Sequence, residues 1–163
     1  MDLAGKRVVV VGLGKSGAAA ARFCAGRGAE VIGTDDRFVD DIPGVSGIRL
    51  ELGGIRAETL RRAELIVLSP GVPPSLPPLR EARQAGVPII GEIELAARFI
   101  SAPFVGVTGT NGKSTVTSLC GAIAAEAGRP GFCGGNLGTP LLQAVGKRGP
   151  GTFGDGRDFG REF

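Results

Sequence analysis

Histidine is absent from the 163-residue chain. That absence removes Ser–His and Cys–His nucleophiles, and every imidazole metal ligand, from the chemistry these residues can perform. Cysteine is scarce: Cys24, Cys120 and Cys133 share no metal-like spacing. An odd count in an intracellular setting reads as buried or free thiols. Long apolar runs are also missing, since none approaches the roughly 20 residues that a membrane span needs. Asp2, Lys6 and Arg7 put charge where a signal peptide requires an apolar stretch. A soluble, cytoplasmic protein without membrane insertion is therefore expected. No strong charge of one sign is present either: 19 Lys and Arg against 16 Asp and Glu leave +3, and the arginines are scattered. A nucleic-acid partner is not expected from that pattern.

What the chain does have is glycine placed between apolar runs and helix-forming segments. The stretch from Val105 to Thr115 reads Val-Gly-Val-Thr-Gly-Thr-Asn-Gly-Lys-Ser-Thr and follows Phe104. Its order, a strand over Phe104 to Val107, then a small-residue turn, then a helix, is that of a phosphate-binding loop. Gly109 and Gly112 would let the backbone turn several N–H groups toward one point, which the positive end of the following helix also faces. Polyphosphate suits such a place. Lys113 would set its ammonium on the terminal phosphates, and the Ser114 hydroxyl would hold a bridging magnesium ion. The general pattern has glycine where Val107 stands, so this is a variant loop. The competing reading, a glycine turn before a buried helix, gives Lys113 no task.

Earlier in the chain, Arg7 to Val11 is a β-branched run typical of a buried parallel strand, and it empties into Gly12-Leu13-Gly14-Lys15-Ser16-Gly17. This is the G-x-G-x-x-G spacing. Ser16 is placed to cap a helix over Ala18 to Ala25, Gly28 to close it, and Glu30 to Gly33 to form the second strand. Asp35 and Asp36 then fall near the position where an acidic residue meets a ribose, which makes a nicotinamide-dinucleotide site the first reading. A tight strand-to-helix turn needs the same glycines, so the fingerprint alone does not choose the nucleotide.

The alternation continues with strands at Ile48 to Leu52 and Leu65 to Leu68 and a short helix at Ala57 to Ala63. Ser69-Pro70-Gly71-Val72-Pro73-Pro74 follows as a rigid loop at a strand's carboxyl end, where Ser69 is either a ligand contact or part of a connector. Helix over Leu79 to Ala85, strand over Val87 to Ile90 and helix over Glu92 to Ile100 complete the unit, with Glu92 and Glu94 charging the last helix's first turn. Ser101-Ala102-Pro103 breaks the pattern before the phosphate loop. Beyond a helix over Ser114 to Ala127, Gly134-Gly135-Asn136-Leu137-Gly138-Thr139-Pro140 is a second glycine turn, able to bring Asn136 to a ligand or simply to lead into a helix. From about Gly146 neither period survives, and disorder is expected.

Two nucleotide-type motifs about a hundred residues apart, together with Ser69-Pro70-Gly71, Gly91-Glu92-Ile93-Glu94-Leu95 and Gly134-Gly135-Asn136-Leu137-Gly138, closely resemble the Mur ligase family, over about Lys6 to Val145. Within it the D-glutamate-adding members match best. The resemblance implies an α/β chain: a Rossmann-like parallel-sheet domain at residues 1–101 and the start of a P-loop central domain at 102–146, with 147–163 as a tail. It replaces nicotinamide with the uridine diphosphate of a sugar-peptide substrate, contacted by Gly14, Lys15, Ser16, Asp35, Asp36, Arg37, Ser69 and Gly71, with Asn136 reaching in from the central domain. ATP would lie on Gly109, Thr110, Asn111, Gly112, Lys113, Ser114 and Thr115, with Lys113 acting on the transferring phosphoryl group and Ser114 on Mg2+.

The implied reaction is ATP-driven amide formation of peptidoglycan synthesis. UDP-N-acetylmuramoyl-L-alanine becomes an acyl phosphate that D-glutamate attacks, in enzymes that are usually monomeric. The family's magnesium-binding glutamate, histidine ligand, modified lysine and C-terminal domain have no counterpart here. The chain is accordingly read as an N-terminal fragment with little or no ligase activity alone. A nicotinamide oxidoreductase and a non-catalytic nucleotide-sugar-binding module remain the rival readings.

Overall fold

Val8, Val9, Val10 and Val11 are each at most 1% exposed, so both faces of this strand are covered and the sheet is centred on it. Continuous β-branched sequence suits such a doubly buried strand, and each valine withdrawn from water contributes about 1.5–3 kcal/mol. The computed structural model of the chain describes residues 1–38, 47–101, 105–129, 131–134 and 139–145. It divides into two compact units, Met1–Leu95 and Ala96–Phe163.

In the first unit the order is β1 (Arg7–Val11), α1 (Lys15–Ala25), β2 (Glu30–Asp35), β3 (Arg49–Leu52), α2 (Ala57–Arg61), β4 (Leu65–Leu68), α3 (Pro77–Gln84), β5 (Ile89–Gly91) and α4 (Glu92–Ala97), whose last residues pass the division. The five strands form one parallel sheet in the order β3-β2-β1-β4-β5. Strand order reverses between β1 and β4, and in open parallel sheets ligands enter at the carboxyl ends beside such a reversal. Val9, Val11 and Ile66 pack with Leu60, Ala63, Leu79, Ala82 and Val87, the residues that α2, α3 and their flanks turn inward. α1 lies against β1 and β2.

The expected α/β alternation is present, with shifted boundaries. α1 begins at Lys15, with Gly14 as its N-cap and no side-chain cap bond, so Ser16 sits inside the first turn and does not cap it. α3 starts at Pro77, two residues before Leu79, because proline is already shaped for a first helical position. β5 begins at Ile89; ahead of it Pro88 has no N–H to give, although its carbonyl accepts from Ile66 at 2.9 Å. α4 ends at Ala97, short of Ile100.

The second unit contains α5 (Lys113–Glu126) and a 3-10 turn at Leu141–Ala144. The strand expected over Phe104 to Val107 is not seen: Phe104 lies outside the described residues, and residues 105–108 carry no strand pairing. Every described strand belongs to the sheet of residues 7–91, so these residues have no described partner within their own unit, and an unpaired strand is not stable by itself. Along α5 only Ala124 is buried, while Val116, Leu119 and Ile123 are exposed. The Cys133 thiol lies over Gly121 and donates weakly to the Thr117 carbonyl at 3.8 Å. The tail expected to be disordered lies outside the described residues, as do Gly135 to Gly138.

Candidate nucleotide sites

The glycine loop leaves the carboxyl end of β1 between the ends of its two neighbours. On one side β2 ends in Asp35; on the other β4 runs into Ser69. Gly12 takes a left-handed backbone, φ +85°, that side-chain-bearing residues rarely adopt, and its N–H donates to the Thr34 carbonyl at 2.8 Å. A methyl group there would lie 2.7 Å from Val72 Cγ2 and 2.9 Å from Ser69 Cβ. At Gly17, in the first turn of α1, a methyl group would overlap the Gly12 carbonyl oxygen. Both positions therefore require glycine so that the helix can begin against the strand.

Side chains from the flanking strands hold the loop. Ser69 is buried; its hydroxyl donates to the Gly12 carbonyl at 2.7 Å, and its own N–H donates to the Val11 carbonyl at 3.0 Å. From β2, Asp35 Oδ2 accepts the Leu13 N–H at 2.7 Å. The Leu13 side chain packs toward Gly33, where an added Cβ would come within 2.9 Å of Leu13 Cδ2. Asp35 also accepts from Arg37: Oδ1 takes its N–H at 2.9 Å and Nε at 3.1 Å, and Oδ2 takes Nη2 at 3.3 Å. The Arg37 hydrogen bond, assisted by the Leu13 and Arg37 amides and the guanidinium charge, outweighs burial and holds the Asp35 carboxyl down at about 2. Asp35 in turn raises Arg37.

Gly14, Lys15, Asp36, Arg37 and Gly71 are exposed, Ser16 is half-buried, and Asp35 and Ser69 are buried. The sheet thus brings Gly14, Lys15, Ser16, Asp35, Asp36, Arg37, Ser69 and Gly71 to one edge, at the ends of β1, β2 and β4. Asn136 lies outside the described residues. Next to Arg37 the Phe38 ring is 84% exposed and faces Gly53, whose N–H donates to the Asp35 carbonyl at 3.0 Å.

The second glycine loop is arranged differently. Gly109 and Gly112 have φ of +143° and +77°, and Gly112 is the N-cap of α5, where no side chain caps the first turn. Residues 108–116 are all exposed. The Lys113 ammonium donates to the carbonyls of Gly109 and of Thr110, the latter at 3.2 Å, which curls the side chain over its own loop. Lys113 is not in apolar packing, but among the described residues no strand feeds the bend. Among the described residues no group of three or more His, Cys, Asp or Glu is placed to hold a metal, and no helix is long and apolar enough to cross a membrane.

Residues 6–91 match the sequence profile described as Mur ligase MurD-like, N-terminal domain. The chain belongs to the Mur ligase family. Among curated relatives it is 51% identical over 151 residues to a UDP-N-acetylmuramoylalanine--D-glutamate ligase of Acidobacterium capsulatum, covering 89% of this chain and 33% of that protein. It is 49% identical over 152 residues to the enzyme of the same name from Desulfatibacillum aliphaticivorans, covering 87% and 33%. Its length is about a third of these relatives. A solved structure of pseudomurein peptide ligase type C from Methanothermus fervidus is similar at 28% identity and a TM-score of 0.50, over 76% of this chain and 27% of that one. The ligase MurC of Thermotoga maritima, at 23% identity and a TM-score of 0.50, shares the fold.

Proposed function

We propose that the chain is the nucleotide-handling part of an ATP-dependent, cytoplasmic ligase of peptidoglycan synthesis that joins D-glutamate to UDP-N-acetylmuramoyl-L-alanine. The single observation that carries this reading is about 50% identity to D-glutamate ligases along almost the whole chain. The N-terminal domain, taken to end near Ser101, would hold the uridine diphosphate. Exposed Gly14, Lys15 and Arg37 would meet the ligand, with Ser16, Asp36 and Gly71 around them. Glycine-loop amides and a helix N-terminus suit any diphosphate, so nothing in this site demands nicotinamide.

The second loop fits a triphosphate on its own features: left-handed glycines at 109 and 112, a first helical turn without a side-chain cap, and an ammonium already lying over the bend. Gly109 to Thr115 would cradle ATP. Lys113, turned outward, would offset negative charge on the phosphoryl group as it moves to the substrate carboxylate. Ser114 would supply one oxygen to Mg2+, which when bound would offset negative charge on the phosphates. The amine of D-glutamate would then displace phosphate and form the amide.

Titrating the 163-residue chain with UDP and with NADH tests the substrate class. Binding of UDP and not NADH is expected; the reverse would establish the oxidoreductase reading. A phosphate-release assay with ATP, UDP-N-acetylmuramoyl-L-alanine and D-glutamate should show no turnover by this chain alone, and normal turnover would contradict the proposed division of labour. The binding-module reading gains no specific support, since it leaves the second glycine loop and Lys113 unused.

A further inference from the structure

Val116, Leu119 and Ile123 lie at i, i+3 and i+7 along α5 and are 46%, 58% and 53% exposed, so one stripe of the helix carries three branched apolar side chains into solvent. The opposite stripe is occupied. There the Cys133 thiol lies over Gly121 and meets the Thr117 carbonyl, and Ala124 is buried. Helix propensity does not account for the open stripe, because valine and isoleucine are poorer helix formers than alanine. Its layout says what fits it. Val116 and Ile123 stand equally far from the midpoint between Leu119 and Cys120, and so do Lys113 and Glu126, the exposed charged residues that begin and end the helix. Turned end for end about that midpoint, α5 shows the same apolar pattern with its charges exchanged.

We propose that α5 is a self-association surface, on which two copies of this chain pair antiparallel across a two-fold axis through Val116, Leu119 and Ile123. Such an axis sets Val116 against Ile123 of the second copy, brings the two Leu119 side chains together, and puts Lys113 level with Glu126 of the second copy. The two helix dipoles then run in opposite directions, so each positive end lies beside a negative one. Charge and apolar spacing thus select the same register. At 14 residues α5 is about 21 Å long, which places the contact at the small end of specific interfaces, and the pair dissociates on dilution.

The test is sedimentation equilibrium of the 163-residue chain over a concentration range of about 5 to 500 μM, where the mean mass should rise from one chain toward two. Leu119→Glu, which alters an exposed side chain and should leave the helical circular dichroism in place, is expected to weaken association by about tenfold or more. Glu126→Lys turns attraction into repulsion at both ends and should weaken it by about threefold at low salt and less at high salt. Cys120 stands beside the proposed axis, and Cys24 is buried, so in Cys133→Ser a short bismaleimide should join two chains through Cys120. That product should disappear when Leu119→Glu is added. A single-chain mass at every concentration would overturn the inference and leave the stripe to residues 146–163 or to sequence beyond this chain. Growth past two chains, or association that Leu119→Glu leaves unchanged, would overturn it as well, because the contact would then not be this closed pair. Association unaffected by Glu126→Lys at low salt would overturn the antiparallel register.

Discussion

The chain makes a glycine loop twice, and the two loops differ in what surrounds them. After β1 the loop is gripped: Asp35 takes the Leu13 amide, the Ser69 hydroxyl bonds the Gly12 carbonyl, and the strand feeding it is buried on both faces. Ahead of α5 the loop is open: residues 108–116 are exposed, no described strand leads in, and the side-chain hydrogen bonds described at residues 109–112 come from Lys113 bonding back onto the loop. Similar local sequence therefore yields a rigid site or a loose one according to whether neighbouring strands supply fixed partners. Glycines permit the turn; flanking side chains hold it.

The largest expected effect separates the two loops by substitution. Gly17→Ala forces a methyl group onto the Gly12 carbonyl and within 2.7 Å of Ser69 Oγ. It should cost the first unit more than about 3 kcal/mol in urea unfolding. Gly112→Ala meets no atom within 4 Å and suffers only from its left-handed backbone. It should cost about 1–3 kcal/mol locally and leave the first unit's transition in place. Equal losses in the first unit would erase the contrast.

Next in size is the acid limit of the Asp35 grip. Its folded-state carboxyl lies at about 2, below the ordinary 3.8, so the grip stabilises above pH 4 and fades as pH falls toward 2. Because Arg37 is mostly exposed, the contribution is put at about 1–2 kcal/mol, below the full linkage value. Urea midpoints of the unaltered chain and Asp35→Asn should differ steadily from pH 7 to 5 and converge below pH 4. A gap that widens in acid would reverse the sign and refute the grip. On the open loop, Lys113→Ala should change thermal stability by less than about 0.5 kcal/mol, since an exposed ammonium bonded to exposed carbonyls exchanges little with water.

The smallest effect concerns the thiols. Burial pushes Cys24 up to about 12, with Arg27 pulling only partly against it, while Cys120 and Cys133 are exposed. A thiol reagent at pH 8 should label Cys120 and Cys133 in the native protein and reach Cys24 only in denaturant. Rapid labelling of all three would show the first unit to be as open as the second.

Much of the first unit was legible in the sequence because its signals are local. Val8 to Val11 announce a buried strand, and Gly12, Gly14 and Gly17 announce the turn that follows. The alternation after them implies a parallel sheet. What the residues of a strand end do was not legible, since spacing that puts Asp35 near a ligand does not say which way the carboxylate turns. The inward turn depends on the Leu13 amide, itself positioned by the fit of its side chain toward Gly33. Ser16 reads as a cap, but the close approach allowed by Gly17 lets the helix begin three residues earlier, at Lys15. The run around Val105 and Val107 reads as strand by composition, yet strand formation is a property of pairs. Without a described neighbour to pair with, the same residues stay irregular and Val105 is 71% exposed.

Native-state hydrogen exchange followed residue by residue tests the contrast most directly, because it reads both loops in one sample. The amides of Gly12, Leu13 and Ser69 should exchange only with unfolding of the first unit, while those of Lys113 to Thr115 should exchange near the rate of an open chain. Comparable protection at the two loops, or fast exchange at Leu13, would contradict the claim that one is held by its neighbouring strands and the other is not.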